Sequence, residues 1–290
     1  MATVTEDPIV VVGTGRSGTT IFHKILSRHS NLAWLSRLCV KYPNRPGLNR
    51  LLMRGLDIPV VRNVLSARWT PSEAYAFWEF YCPGFANPYR DLLADDLTPP
   101  SAARIKSALS QLTTSKRNRL LVKITGWPRI GFLRAIYPNL RIICVARNPY
   151  AVTSSFLEIP WWDGWRGPTS WRHGPLPPDL DAIWREQGQS FVALAALEHV
   201  IFERAMRECR KSLPAAQILD VTYAALCSDP VGTFRLVCAH SGLEWSDRFQ
   251  MAVQRFSLHN NDDKWRKHLT PHQQEIVTRT LARAEGYRND

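Results

Sequence analysis

The sequence predicts an α/β fold, a three-layer sandwich with a mostly parallel central sheet. Near-continuous apolar runs at 9–12, 120–124, 141–145 and 218–221 read as strands buried on both faces. Segments of helical spacing separate these runs, the order expected of a sheet covered by helices on each side. The first run also ends in a Gly-rich turn that opens a helix. A chain of 290 residues can bury a sizeable core, and no internal repeat or low-complexity tract divides it.

The elements follow in order. After Ile9-Val10-Val11-Val12 and its turn, Ile21, Phe22, Ile25 and Leu26 recur at one-turn spacing, with Lys24 and Arg28 free to face water. Residues 32–35 predict a second short strand, and 44–66 carry Leu, Val and Arg at helical spacing interrupted by Pro59. A turn at Trp69-Thr70-Pro71-Ser72 precedes an aromatic helix over 73–81, with Ser72 as its candidate cap. A Pro- and Asp-rich stretch at 83–100 reads as a surface connection, and 101–115 returns to helix. Strand 120–124, helix 129–137, strand 141–145 and a helix from about 150 restore the βα alternation. Residues 158–180 are a break rich in Trp, Pro and Gly. The spacing then predicts one long helix over 181–212, the strand 218–221, and helices over 230–241 and 271–285, with a polar stretch around 257–268 between them.

Composition narrows the function. A 45% hydrophobic content argues against disorder, and a formal charge of +12 favours anionic ligands without choosing among nucleotide, anionic surface and nucleic acid. No run approaches eighteen apolar residues, so no membrane span is expected, and residues 1–7 lack the features of a signal peptide. Six cysteines without a CxxC pair read as core thiols in a reducing compartment, which makes cytoplasmic the expected localisation.

The turn Gly13-Thr14-Gly15-Arg16-Ser17-Gly18-Thr19-Thr20 is a candidate phosphate cradle. Backbone N–H groups of such a turn converge with the free donors of the first helical turn on an anion. The glycines have Walker A spacing, but Thr19 stands where that motif requires lysine, and Arg16 is the replacement charge. Arg147 follows a strand at its carboxyl end, where open α/β sheets bind ligands, and Ser155 lies two turns further on. Lys123 ends another strand facing the same crevice. No dense carboxylate cluster suggests a metal. Trp161, Trp162, Trp165 and Trp171 either pack on the long helix or cover an apolar ligand as a lid.

These residues resemble the nucleotide-dependent sulfotransferases, which use 3′-phosphoadenosine 5′-phosphosulfate (PAPS) as sulfuryl donor. Gly15-Arg16-Ser17-Gly18-Thr19-Thr20 resembles that family's 5′-phosphosulfate loop, with Arg16 where cytosolic members usually have lysine. Arg147-Asn148-Pro149-Tyr150, leading to Ser155, is similar to the 3′-phosphate segment. Lys264-Trp265-Arg266 resembles the closing tryptophan segment, and Tyr223 the tyrosine that approaches adenine. The resemblance implies a P-loop-like sulfotransferase architecture in one domain over 1–290. Insertions at about 40–115 and 158–180 are expected to form its acceptor side.

It further implies PAPS as cofactor and adenosine 3′,5′-bisphosphate (PAP) as product. The acceptor is expected to be a hydroxyl, less readily an amine, on a small molecule, lipid or glycan with an apolar or aromatic part. No nucleic-acid partner is expected. Arg16 and Lys123 are then charge-stabilising catalytic residues. Two departures stand out. Thr125 occupies the place of the cytosolic members' histidine base, and Leu258-His259-Asn260 replace their basic 3′-phosphate stretch. Branches with a loop arginine use a glutamate base, which makes Glu73 and Glu79 candidates; the Pro-x-Glu segment Pro71-Ser72-Glu73 favours the first. His173 is a third candidate. Read from the residues alone, an ATP-dependent small-molecule kinase and a non-enzymatic nucleotide- or RNA-binding module are the rival functions.

Overall fold

The computed structural model describes residues 6–86 and 89–286. Five strands, β1 (Glu6–Gly13), β2 (Leu32–Trp34), β3 (Arg119–Thr125), β4 (Arg141–Ala146) and β5 (Ile218–Thr222), form one sheet in the order β2-β3-β1-β4-β5. Every ladder is parallel, with Val11 paired to Lys123 on one side and Ile143 on the other. The α/β fold expected from the sequence is therefore present. Ile9 to Val12 are at most 1% exposed, as a central strand covered on both faces requires.

The chain winds from β1 toward one edge through β2 and β3, then crosses to β4 and β5 on the other side. Connections leaving β1 and β4 run in opposite directions, opening a crevice at the carboxyl ends of these strands. Both candidate phosphate segments, 13–20 and 147–155, follow those two strands.

Several helices differ from the sequence expectation. The interruption expected at Pro59 is a break between two helices, Pro46–Gly55 and Pro59–Arg68, and the proline opens the second because it lacks only an N–H that the first turn leaves unpaired. The surface connection at 83–100 contains a short 3₁₀ turn, Ala94–Asp96, and the start of helix Pro99–Ser110. Ser72 does not cap the aromatic helix. Its hydroxyl accepts from the Ala74 N–H at 3.1 Å, Ala74 itself is left-handed, and the helix spans Tyr75–Tyr81. Glu73 thus precedes the helix instead of lying in its first turn.

The predicted long helix is two, Pro178–Glu186 and Phe191–Lys211. Gly188 and Gln189 take positive φ between them, and Ser190 caps the second by accepting from the Ala193 N–H. Of the tryptophan cluster, Trp162 and Trp171 are buried with Leu194 and Leu197 of that second helix, while Trp161 and Trp165 are exposed. The buried pair packs on the helix. All six cysteines are free, and burial pushes the Cys144 and Cys238 thiols up to about 12, making them inert. Among the described residues, no helix is long and apolar enough to cross a membrane.

Candidate active site

The turn after β1 is built for close approach. Ser17 closes it by donating to the Thr14 carbonyl at 2.8 Å, and Gly18 takes φ 91 at the N-cap of helix Thr19–Leu26. A Cβ on Gly18 would meet the Tyr223 ring at 2.4 Å, and one on Gly15 would meet Phe156 at 2.8 Å. Glycine at these two positions keeps the turn open between its walls. The first-turn N–H groups of the helix have no intrahelical acceptor and lie at the positive end of its dipole.

The second candidate phosphate segment, 147–155, meets this turn directly. Arg16 Nε donates to Ser155 Oγ at 2.9 Å, and Arg147 donates to the Arg16 carbonyl at 3.0 Å. Arg147 also lies 4.5 Å from the centre of the Tyr223 ring. Burial first, and the Arg147 charge second, hold the Arg16 guanidinium below its ordinary value. Two crowded cations beside a Gly-rich helix N-terminus fit the phosphates of an adenosine bisphosphate. A carboxylate already engages one of them: Arg147 Nε pairs with Asp262 at 2.7 Å, and its second nitrogen donates to the Asn261 carbonyl. Tyr223 donates to the His259 carbonyl at 3.0 Å, so a strap over 259–262 lies across the arginine and tyrosine.

At the end of β3, Lys123 Nζ donates to Thr20 Oγ1 at 2.8 Å and pairs with Glu73 Oε1 at 2.6 Å. Thr125 donates its hydroxyl to Glu73 Oε2 at 3.0 Å, and Tyr75 donates to the Thr125 carbonyl. Glu73 is therefore anchored to the phosphate turn through one lysine. Glu79 is elsewhere: its two oxygens accept the Gly84 and Ala86 N–H groups at 2.8 and 2.9 Å, tying down a loop. His173 is not polar surface but buried, 3.3 Å from Glu198, with its ring between Trp127 and Trp171. Burial would raise Glu198, but the adjoining His173 ring, the Arg172 charge and the Trp162 N–H hold it below the usual carboxylate range.

The closing segment is set apart from this cluster. Trp265 is buried and stacks on Tyr150 at 4.5 Å, and Arg266 lies over the Trp265 ring beside Asp263. Lys264 is exposed at the start of the short helix Trp265–His268. Among the described residues, none of these three side chains bonds to Arg16, Arg147, Ser155 or Tyr223.

Two cavities meet at Trp127, and the smaller also reaches Tyr75 and Thr125 beside Glu73. One of about 320 Å³ is lined by Tyr75, Thr125, Trp127, Arg129 and Arg172. A larger one of about 620 Å³, mostly apolar, is lined by Trp127, Ile130, His173, Leu180 and Ile201. Trp127, two residues past the end of β3, borders both. Sequence reasoning missed Asp262 and Tyr75, which bond to candidate site residues, and Trp127, which borders both cavities. Only Asp262 had a local signal, an acid in a polar stretch preceding the Lys264 segment.

A family model described as the sulfotransferase family matches residues 8–247. No curated protein sequence matches the chain. Among solved structures, sulfotransferase STF9 from Mycobacterium avium is similar at 16% identity and TM-score 0.57, over 96% of this chain and 76% of that one. The sulfotransferase domain of the Synechococcus PCC 7002 olefin synthase is similar at 16% identity and TM-score 0.53, over 100% and 98%. STF1 from Mycobacterium tuberculosis H37Rv aligns at 18% identity and TM-score 0.50, over 97% and 78%. At such identities the likeness concerns the fold.

Proposed function

The chain belongs to the sulfotransferase family, and on that basis we propose that it moves the sulfuryl group of PAPS onto the hydroxyl of an amphipathic small molecule or lipid, with Glu73 as general base. The observation that carries this reading is the Lys123 ammonium held between Thr20 of the phosphate turn and the Glu73 carboxylate. It links the donor cradle to a base within one hydrogen-bonded unit.

When bound, PAPS supplies a sulfuryl group on a stable leaving group, PAP. The backbone N–H groups of 15–20, with the Thr19 and Thr20 hydroxyls, hold the 5′-phosphate end. Arg147 and Ser155 hold the 3′-phosphate, which requires Asp262 to give up its place on Arg147. Arg16 and Lys123 balance charge on the sulfuryl and leaving oxygens, as donors do in phosphoryl transfer. Glu73 takes the acceptor's hydroxyl proton, and Thr125 fixes the carboxylate's orientation through its second oxygen. The apolar body of the acceptor lies along Trp127 toward the larger cavity, whose size suits a drug-sized ligand. Glu79, committed to two backbone donors, is structural in this scheme. Lys264 and Arg266 serve at most as outer charges, and Trp265 as support for Tyr150. The three apolar clusters around one sheet support a single domain over 1–290, and unpaired cysteines support a cytoplasmic location.

Incubation with sulfur-labelled PAPS and alcohols of graded hydrophobicity tests the reading. Label is expected on apolar alcohols and not on free sugars. Transfer of the terminal phosphoryl group of ATP, without transfer from PAPS, would reject it in favour of a kinase.

A further inference from the structure

A cavity of about 570 Å³ lies between helices Pro59–Arg68 and Asp247–Gln254. Arg62 and Ser66, one turn apart, line it from the first helix. Arg248 and the C-cap Arg255, two turns apart, line it from the second. Arg28, two residues past helix Thr19–Leu26, also borders it, and no carboxylate lies in its wall. Among the described residues, Arg28, Arg62, Arg248 and Arg255 form no ion pair; Arg62 gives one N–H to the Leu56 carbonyl. An inner recess of about 40 Å³ shares Arg28, Arg62, Ser66 and Arg248 and extends to Arg117. Arg117 is only 4% exposed, and its Nε has no hydrogen-bond partner. Asp57 pairs with Arg117 at 3.1 Å and with Lys116 at 3.8 Å. Burial first holds the Arg117 guanidinium below its ordinary value; Asp57 opposes this, and the Arg248 and Arg62 charges add to it. Burial lowers Arg28 as well.

Helix C-termini favour cations, which accounts for Arg28 and Arg255 singly. It does not account for four guanidinium groups around one space without an acid, whose mutual repulsion an anion relieves. We propose that this cavity binds a small ligand carrying two or more phosphate groups, at a site separate from the catalytic crevice. Planar guanidinium forks match phosphate oxygens in pairs. One phosphate group carries at most about two charges at neutral pH and would leave four arginines half compensated. The volume falls in the range of ligand clefts, and Met251, Ala252 and Phe256 give it an apolar wall for an organic part. A nucleic-acid strand calls for a basic groove that tracks its backbone, whereas these cations converge on one cavity. The inference is independent of the proposed chemistry.

Arg248 and Arg255 are exposed, so phenylglyoxal modification read at each arginine by mass spectrometry tests the proposal on the intact chain. Tripolyphosphate should slow modification of both at least ~5-fold, while orthophosphate at equal ionic strength slows them less than ~2-fold. Arg54 and Arg104, exposed arginines outside the cavity, should react at unchanged rates. Because each arginine is read separately, anion held at the phosphate turn does not enter the result. Arg248→Ala should raise the tripolyphosphate concentration that half-protects Arg255 at least ~5-fold, with Tm unchanged or higher because one repelling charge is gone. Absent protection of Arg248 and Arg255, equal protection of Arg54 and Arg104, or equal protection by orthophosphate would overturn the proposal. So would half-protection of Arg255 unchanged in Arg248→Ala, or protection by single-stranded RNA without protection by tripolyphosphate.

Discussion

The Lys123 ammonium and the Glu73 carboxylate meet at 2.6 Å at the carboxyl edge of β3, their side chains only 6% and 20% exposed. Thr20 lies on the other side of the ammonium, so in the proposed mechanism charge balance at the donor and proton removal at the acceptor share one lysine. Removing that lysine leaves a largely enclosed carboxylate without its counter-charge.

Lys123→Ala should therefore lower kcat about 10²-fold or more and also reduce stability, because the pair is mostly withdrawn from water. Steady-state kinetics with thermal unfolding checks both effects. A variant with normal turnover would remove the lysine from the chemistry.

Asp262 is paired with Arg147, the arginine proposed to grip the 3′-phosphate. Asp262→Asn should tighten PAP binding roughly 5- to 10-fold by removing a competing charge-assisted bond. Arg147→Ala should bring the affinities for PAP and adenosine 5′-phosphate close together, since only the former carries the phosphate it grips. Calorimetric titration of both ligands decides; equal weakening of both by Arg147→Ala contradicts the clamp.

Gly18→Ala should close the cradle. The new methyl group would meet Tyr223 at 2.4 Å and sit on a backbone with φ 91, where a side chain costs about 1 kcal/mol before any collision. Lower Tm with at least ~10-fold weaker PAP binding is expected; unchanged affinity would mean the turn is not the anion site.

His23 lies in the core of helix Thr19–Leu26, and burial first, then the Lys123 charge, drives it from an ordinary 6.5 down to about 3. The unfolded chain takes up a proton below pH 6.5 that the folded chain refuses, so stability falls as pH drops from about 6.5 toward 3. At pH 5 this loss is about 2 kcal/mol relative to pH 7. Asp91, pushed up to about 6 by burial, works in the opposite sense, gaining stability as pH falls through 6. The clean comparison is wild type against His23→Leu in urea at pH 7 and 5. The variant should lose about 2 kcal/mol less, and parallel profiles would contradict the assignment.

Much of the scaffold was legible in the sequence. Strands 9–12, 120–124, 141–145 and 218–221 lie within β1, β3, β4 and β5; the first three are legible because strands buried on both faces write near-continuous apolar runs, whereas the edge strand β5 is only partly buried and carries Asp220. The Gly-rich turn is legible because its spacing and flanking elements are local. Helix boundaries were less so. A capping serine and two positive-φ residues at 188–190 split a stretch whose apolar period reads as continuous. Side chains brought together from distant segments left no local trace. Glu73 reaches Lys123 across fifty residues, and Asp262 reaches Arg147 across 115. His173 lies in a Pro- and Gly-rich loop that looks exposed, yet Trp127, Trp171 and Glu198 enclose it.

The central claim is that the carboxylate on Lys123, and not the one six residues later, removes the acceptor proton. The direct measurement is the single-turnover rate of sulfuryl transfer from PAPS in Glu73→Gln and Glu79→Gln, with PAP affinity determined for each. Glu73→Gln should bind PAP within about 3-fold of wild type and transfer at least ~10²-fold more slowly, while Glu79→Gln transfers at the wild-type rate with a lower Tm. Near-normal transfer in Glu73→Gln would contradict the account.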